Sequence, residues 1–181
     1  MNVLRALFPH EYVDSVASID FDKLYRIGYR GLMFDIDNTL VHHGEDATDE
    51  VKDLFTRLDG IGYKAVVLTD NSEARTRRFL TNIDCPYVCG ANKPDARGFF
   101  EALSILGTKK EETIVIGDQI FRDILGANRS GISSILVEYL RYENETKIGI
   151  RRSIEKVVLR LYALDKWSQH RLGGVYEEIV G

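Results

Sequence analysis

The chain reads as an α/β fold, a doubly wound parallel sheet with helices on both faces, and three observations predict it. Apolar runs of strand length alternate with longer stretches of helical period. These runs end in acids, hydroxyls or glycines, the residue types that gather where an open α/β sheet holds ligands. A length of 181 residues, 44% of them hydrophobic, is enough for one core. One domain over residues 1–181 is therefore expected.

A first strand is expected near residues 31–36, a fully apolar run of the kind buried on both faces. It leads into Asp35-Ile36-Asp37-Asn38-Thr39. Two acids one residue apart at a strand end repel each other and lose hydration, which a divalent cation would relieve. Burying them for structure alone would be costly. A helix follows over 48–58 and a strand over 63–68, ending in Thr69-Asp70-Asn71-Ser72. The next helix, 72–80, would aim free N–H groups and its positive end at an anion. Pro86-Tyr87-Val88 suggests a short strand, with Cys85 and Cys89 beside it as small buried residues. Lys93 stands before a helix over 94–106 that Gly107 stops. A strand at 112–116 runs into Gly117-Asp118, a helix spans 120–128 with Asp123 in its first turn, and a last strand covers 133–137. The strand leading to Asp35, the first of these, is expected to lie centrally.

The order Asp-x-Asp, Thr, Lys, Gly-Asp-x-x-x-x-Asp, each piece at a strand end, resembles the haloacid dehalogenase (HAD) superfamily of phosphohydrolases. The resemblance implies an aspartyl-phosphate on Asp35 and acid–base work by Asp37, whose carboxyl would need a raised pKa. It implies that Thr69 and Lys93 bind the phosphoryl group, with Asn38 and Asn71 near the substrate. Mg²⁺ would be held by Asp35, the Asp37 carbonyl and Asp118, with Asp123 orienting Lys93 or a metal-bound water. About 30 residues separate Asp37 from Thr69 and about 24 separate Thr69 from Lys93, each interval already used by a helix and a strand. No cap domain fits, so the site should be open and suit a large phosphate monoester, such as one with a lipid head group, or an oligomer that supplies walls. A homo-oligomer is thus one expectation.

Gly117-Asp118-Gln119, Arg122 to Arg129, Thr146-Lys147, Arg151-Arg152 and the start Leu4 to Pro9 give a finer match. They resemble class IIIA HAD phosphatases, in the bacterial family related to mitochondrial phosphatidylglycerophosphatase, which implies that lipid as substrate. Asp70 and Arg122 depart from that pattern. A small-molecule, nucleotide or protein phosphatase of the same superfamily, a receiver-type phosphoacceptor domain and a HAD-type binding protein without activity are the alternatives.

The net charge of −4 offers nucleic acid no general attraction. With no long apolar span and no signal peptide, a cytoplasmic protein, peripheral to a membrane at most, is expected. Between Arg151 and Arg171 stand six basic and two acidic residues, around a stripe of Ile150, Ile154, Val157, Val158 and Leu161. Such a helix packs its stripe on the sheet and leaves a solvated basic face, or it lies on an anionic bilayer. Core packing is the favoured expectation.

Overall fold

The computed structural model describes residues 4–140 and 149–175; the expectation placed on Thr146 and Lys147 lies outside them. Its strands are β1 (Glu11–Val13), β2 (Gly31–Phe34), β3 (Lys64–Leu68), β4 (Tyr87–Val88), β5 (Thr113–Gly117) and β6 (Ser133–Val137). They form one sheet in the order β1-β6-β5-β2-β3-β4, with every neighbouring pair parallel. The helices are α1 (Phe21–Arg26), α2 (Asp49–Ile61), α3 (Glu73–Phe79), α4 (Ala96–Leu106), α5 (Leu125–Ser130) and α6 (Ile150–Leu164).

Strand periodicity decides which helices cover which face. Leu32 and Phe34 of β2 join a core with Phe21 and Leu24 of α1 and Val51, Phe55 and Leu58 of α2. Met33, between them, faces the other way, toward Phe99, Ala102 and Leu106 of α4 and Ala127 of α5. Both faces are covered, which is why β2 is apolar throughout. It lies between β5 and β3, as expected of the strand leading to Asp35.

Two elements were not anticipated. β1 is three residues long and contains the fully buried Glu11, so it lacks a strand's apolar signature. The Glu11 carboxylate accepts N–H bonds from Leu172 and Gly174, which ties the C-terminal segment to this edge strand. The six-residue α1 was hidden by its shortness.

The expected packing of α6 is corrected. Of its apolar stripe only Val158 is buried, while Ile150, Ile154, Val157 and Leu161 are exposed. The buried face consists of Glu155, Val158 and Tyr162, with Phe8, Ile120, Ile124 and Leu136 beneath. A glutamate replaces an apolar anchor because it has donors to meet. Its Oε1 accepts the N–H of Ile120 at 2.9 Å and of Phe121 at 3.4 Å, and its Oε2 accepts from Arg152 at 3.0 Å. These N–H groups open the π-helical turn Ile120–Ile124 that leads into α5, where backbone donors otherwise have no partner.

Glu155→Ala should therefore leave those donors and Arg152 unpaired and lower unfolding stability by about 2–3 kcal/mol. Urea denaturation measures the loss, and limited proteolysis should cut within α6 before the sheet core opens.

Candidate active site

Of the side chains expected at the site, Asp35, Lys93, Asp118 and Asp123 stand together at the carboxyl edge of the sheet, and Thr69 follows β3. Asp35 directly follows β2 and extends its ladder, its N–H donating to the Ile116 carbonyl at 3.0 Å. Lys93, buried before α4, places its Nζ 2.9 Å from Asp35 Oδ1 and 2.6 Å from Asp123 Oδ1. The same ammonium donates to the Leu68 carbonyl at 3.1 Å, which fixes it against β3. Asp123 reaches this position because β5 ends in Gly117: a Cβ there would lie 2.4 Å from the Asp123 Cγ. The other Asp123 oxygen accepts the Gln119 N–H at 3.0 Å.

Asp118 follows β5 and is buried. Its carboxylate accepts from the Thr39 hydroxyl at 3.3 Å and is ion-paired with Arg152 of α6, which also donates to the Asp118 carbonyl at 2.7 Å. Tyr139 lies under that guanidinium, its ring centroid 4.5 Å away. Thr69 is buried after β3 and its Oγ1 accepts the Asn71 N–H at 3.2 Å.

Asp37 is turned from this cluster. Its oxygens accept from the Gly44 N–H at 2.9 Å, the Asn71 amide at 2.6 Å and Arg75 at 3.1 Å. Asn71 is thus committed to Asp37, while Asn38 makes the turn behind it at φ +61°. The raised pKa expected of Asp37 is corrected. Partial burial pushes its carboxyl up, but the Gly44 and Asn71 hydrogen bonds and the charges of Arg75 and His43 outweigh it and hold it below the usual range.

The buried groups behave differently. Burial raises the Asp35 carboxyl, Lys93 opposes the shift, and the nearby Asp123 and Asp118 carboxylates add to it. Burial also pushes Asp118 up, to about 6, against the pull of Arg152. Lys93 is lowered by burial yet raised further by Asp123 and Asp35, so it stays charged. Three acids thus share two fixed cations, so one formal negative charge is left among them when all three are ionised.

That remainder bears on a metal. Oxygens of Asp35, Asp118 and Asp123 lie within 4.8 Å of one another, and hard oxygen donors with surplus negative charge fit Mg²⁺. Asp37, bonded to Gly44, Asn71 and Arg75, adds no carboxylate to this group.

The two departures from the expected pattern compensate each other. Asp70 accepts the Lys93 backbone N–H at 2.8 Å, and its other oxygen pairs with Arg122 at 2.8 Å. Together they brace the loop that presents Lys93. Sequence reasoning missed Thr39, Arg75 and Arg152. Arg75 carries two buried N–H-bearing nitrogens, Nε and Nη1, without a hydrogen-bond partner among the described residues. The signal for Arg152 was Glu155, one acid at i+3 on the buried face of a basic helix. Thr39 also lines a groove of about 590 Å³ with Val16, Leu40, Val51, Leu54 and Leu140.

An α/β sheet with a buried acid–lysine cluster at its carboxyl edge suits phosphoryl chemistry, and the family is identified by comparison. The model of the haloacid dehalogenase-like hydrolases matches residues 42–137, a span that includes Thr69, Lys93, Asp118 and Asp123. The chain belongs to that family. It is 32% identical over 159 residues to the probable phosphatase YqeG of Bacillus subtilis (strain 168), covering 87% of this chain and 92% of that protein. It is 27% identical over 184 residues to phosphatidylglycerophosphate phosphatase 1, chloroplastic/mitochondrial, of Arabidopsis thaliana, covering 96% of this chain and 52% of that protein. In fold it is similar to a crystal structure of a Listeria monocytogenes serotype 4b protein, at TM-score 0.51 and 18% identity over 74% of this chain and 99% of that one. Membership of this family displaces the receiver-type alternative.

Gly117→Ala should displace Asp123 from Lys93 and lower stability by about 1–3 kcal/mol. Gly60→Ala, in α2 with open space around its Cβ, should instead be neutral or stabilising by up to about 1 kcal/mol. Paired urea titrations separate the two.

Proposed function

We propose that this hydrolase is a Mg²⁺-dependent phosphatase that cleaves phosphate monoesters through an aspartyl-phosphate on Asp35. The observation that carries the reading is the buried Lys93 ammonium held between Asp35 and Asp123. A surface lysine has no reason to be placed so; beside a nucleophilic carboxylate it can neutralise an incoming phosphoryl group.

In this reading an Asp35 oxygen attacks phosphorus and the ester oxygen leaves, taking a proton from Asp37. A water then attacks the aspartyl-phosphate, giving its proton to Asp37, and inorganic phosphate departs with Asp35 restored. The Thr69 hydroxyl and Lys93 hold the phosphoryl oxygens, and Asp123 keeps Lys93 in place. Asp35 and Asp118, with the Asp37 carbonyl, would hold Mg²⁺, which would supply charge neutralisation at the phosphoryl group. Because Asp37 is hydrogen-bonded to Gly44, Asn71 and Arg75 and its pKa is lowered, it must leave those partners to act as an acid.

The best single substrate is phosphatidylglycerophosphate. Its support is the relative of that name and a largely apolar groove lined in part by Thr39, which suits an ester with an apolar portion. The intervals Asp37–Thr69 and Thr69–Lys93 hold only core helices and strands, which leaves the site open to a large ester.

Phosphate release from phosphatidylglycerophosphate in mixed micelles, beside p-nitrophenyl phosphate, tests this. Both activities should require Mg²⁺ and fall at least about 1,000-fold in Asp35→Asn. Activity surviving that change would remove Asp35 as nucleophile, and turnover of the generic ester alone would remove the lipid. A pH dependence follows from Asp118. A carboxyl raised to about 6 holds a proton below that pH and must lose it to bind a cation, so Mg²⁺ affinity should rise with pH through about 6. Calorimetry in buffers of different ionisation enthalpy should show the matching proton release.

A further inference from the structure

The exposed face of α6 has a composition that packing among the described residues does not explain. Ile150, Ile154, Val157, Leu161 and Leu164 follow one another at intervals of four, three, four and three, so they form one stripe. All are exposed, Ile150 at 83% and Leu164 at 80%, and Trp167 just beyond the helix is 89% exposed. The charges around them have one sign. Arg151, Lys156, Arg160 and Lys166 are exposed, while Glu155 is buried beneath and Asp165 is engaged with Ser168 and Arg5. At fifteen residues, α6 is about 22 Å long. No helix among the described residues is long and apolar enough to cross a membrane.

We infer that α6 and Trp167 form a docking surface for an anionic lipid bilayer, with the helix lying in the interface plane and its stripe among the acyl chains. A large apolar stripe rimmed by basic side chains is complementary to such a surface in both respects. The indole of Trp167 has the mixed apolar and polar character that settles at the headgroup level. A second copy of the chain is the competing occupant, and charge disfavours it. Two such faces brought together would oppose four cations to four cations around a narrow seam. The inner side of the same helix carries Arg152 to Asp118, so docking would bring the bilayer next to the active site. The inference concerns binding and stands whether or not the lipid is the substrate.

Trp167 is the single tryptophan of the sequence, so its fluorescence reports this face alone. The test adds vesicles of phosphatidylglycerol and phosphatidylcholine, or of phosphatidylcholine alone, to the full chain without Mg²⁺ or substrate. Anionic vesicles should shift the emission to shorter wavelength, brominated acyl chains should quench it, and neutral vesicles should do neither. Lys156→Glu with Arg160→Glu should weaken vesicle binding by about 100-fold or more. Leu164→Ser should weaken it about tenfold. Both variants should keep the circular dichroism spectrum and p-nitrophenyl phosphate turnover of the parent. The inference is overturned by an unchanged spectrum with anionic vesicles or by equal binding to neutral ones. It is also overturned by a blue shift that grows with protein concentration without lipid and accompanies a doubled mass in light scattering; that result would assign the face to a second copy.

Discussion

The Lys93 ammonium, 2.9 Å from one buried carboxylate and 2.6 Å from another, determines what the rest of the site can be. Taking three ions out of water is unfavourable unless each has close partners, and removing one partner strands the others. The fold meets that requirement with parts from different places. β2 delivers Asp35 and β5 ends in a glycine so that Asp123 can approach. The Leu68 carbonyl and Asp70 fix the lysine and its backbone. The parallel order β5-β2-β3 brings these ends to one edge of the sheet.

Electrostatic balance then runs outward from this pair. Asp118, a third buried acid, is countered by Arg152, which Glu155 holds, and Glu155 in turn caps the turn that starts at Ile120. A helix outside the matched family span thereby completes the charge arrangement at the site. Asp37 belongs to a different network, with Asn71, Arg75 and Gly44, which keeps it ionised and turned away from Asp35. In the proposed mechanism this carboxylate carries the proton, so its release from Arg75 becomes part of that chemistry.

Much of this was legible in the residues. The apolar runs that became β2, β3, β5 and β6 are buried on both faces and announce themselves, and the polar groups at their ends identify Asp35, Thr69 and Asp118. Lys93 and Asp123 were legible through the resemblance, since Lys-Pro or a lone acid says nothing by itself. What escaped depends on long-range partners. Arg152 looks like a surface residue until Asp118, 34 positions earlier, is placed beside it. Asp70 and Arg122 looked like two anomalies, and only their 2.8 Å contact shows them to be one feature. The orientation of α6 was misread because helical period says which residues share a face but not which face turns inward; the buried Glu155 and Tyr162 decided that.

The covalent intermediate is the central claim, and trapping it is the most direct test. Enzyme turning over p-nitrophenyl phosphate with Mg²⁺ would be quenched in acid, reduced with borohydride and digested for peptide mass spectrometry. An acyl phosphate is reduced to an alcohol, so homoserine at position 35, absent without substrate, is the predicted result. Homoserine at another aspartate, or rapid phosphate release with position 35 unaltered under conditions that trap other acyl phosphates, would contradict the account.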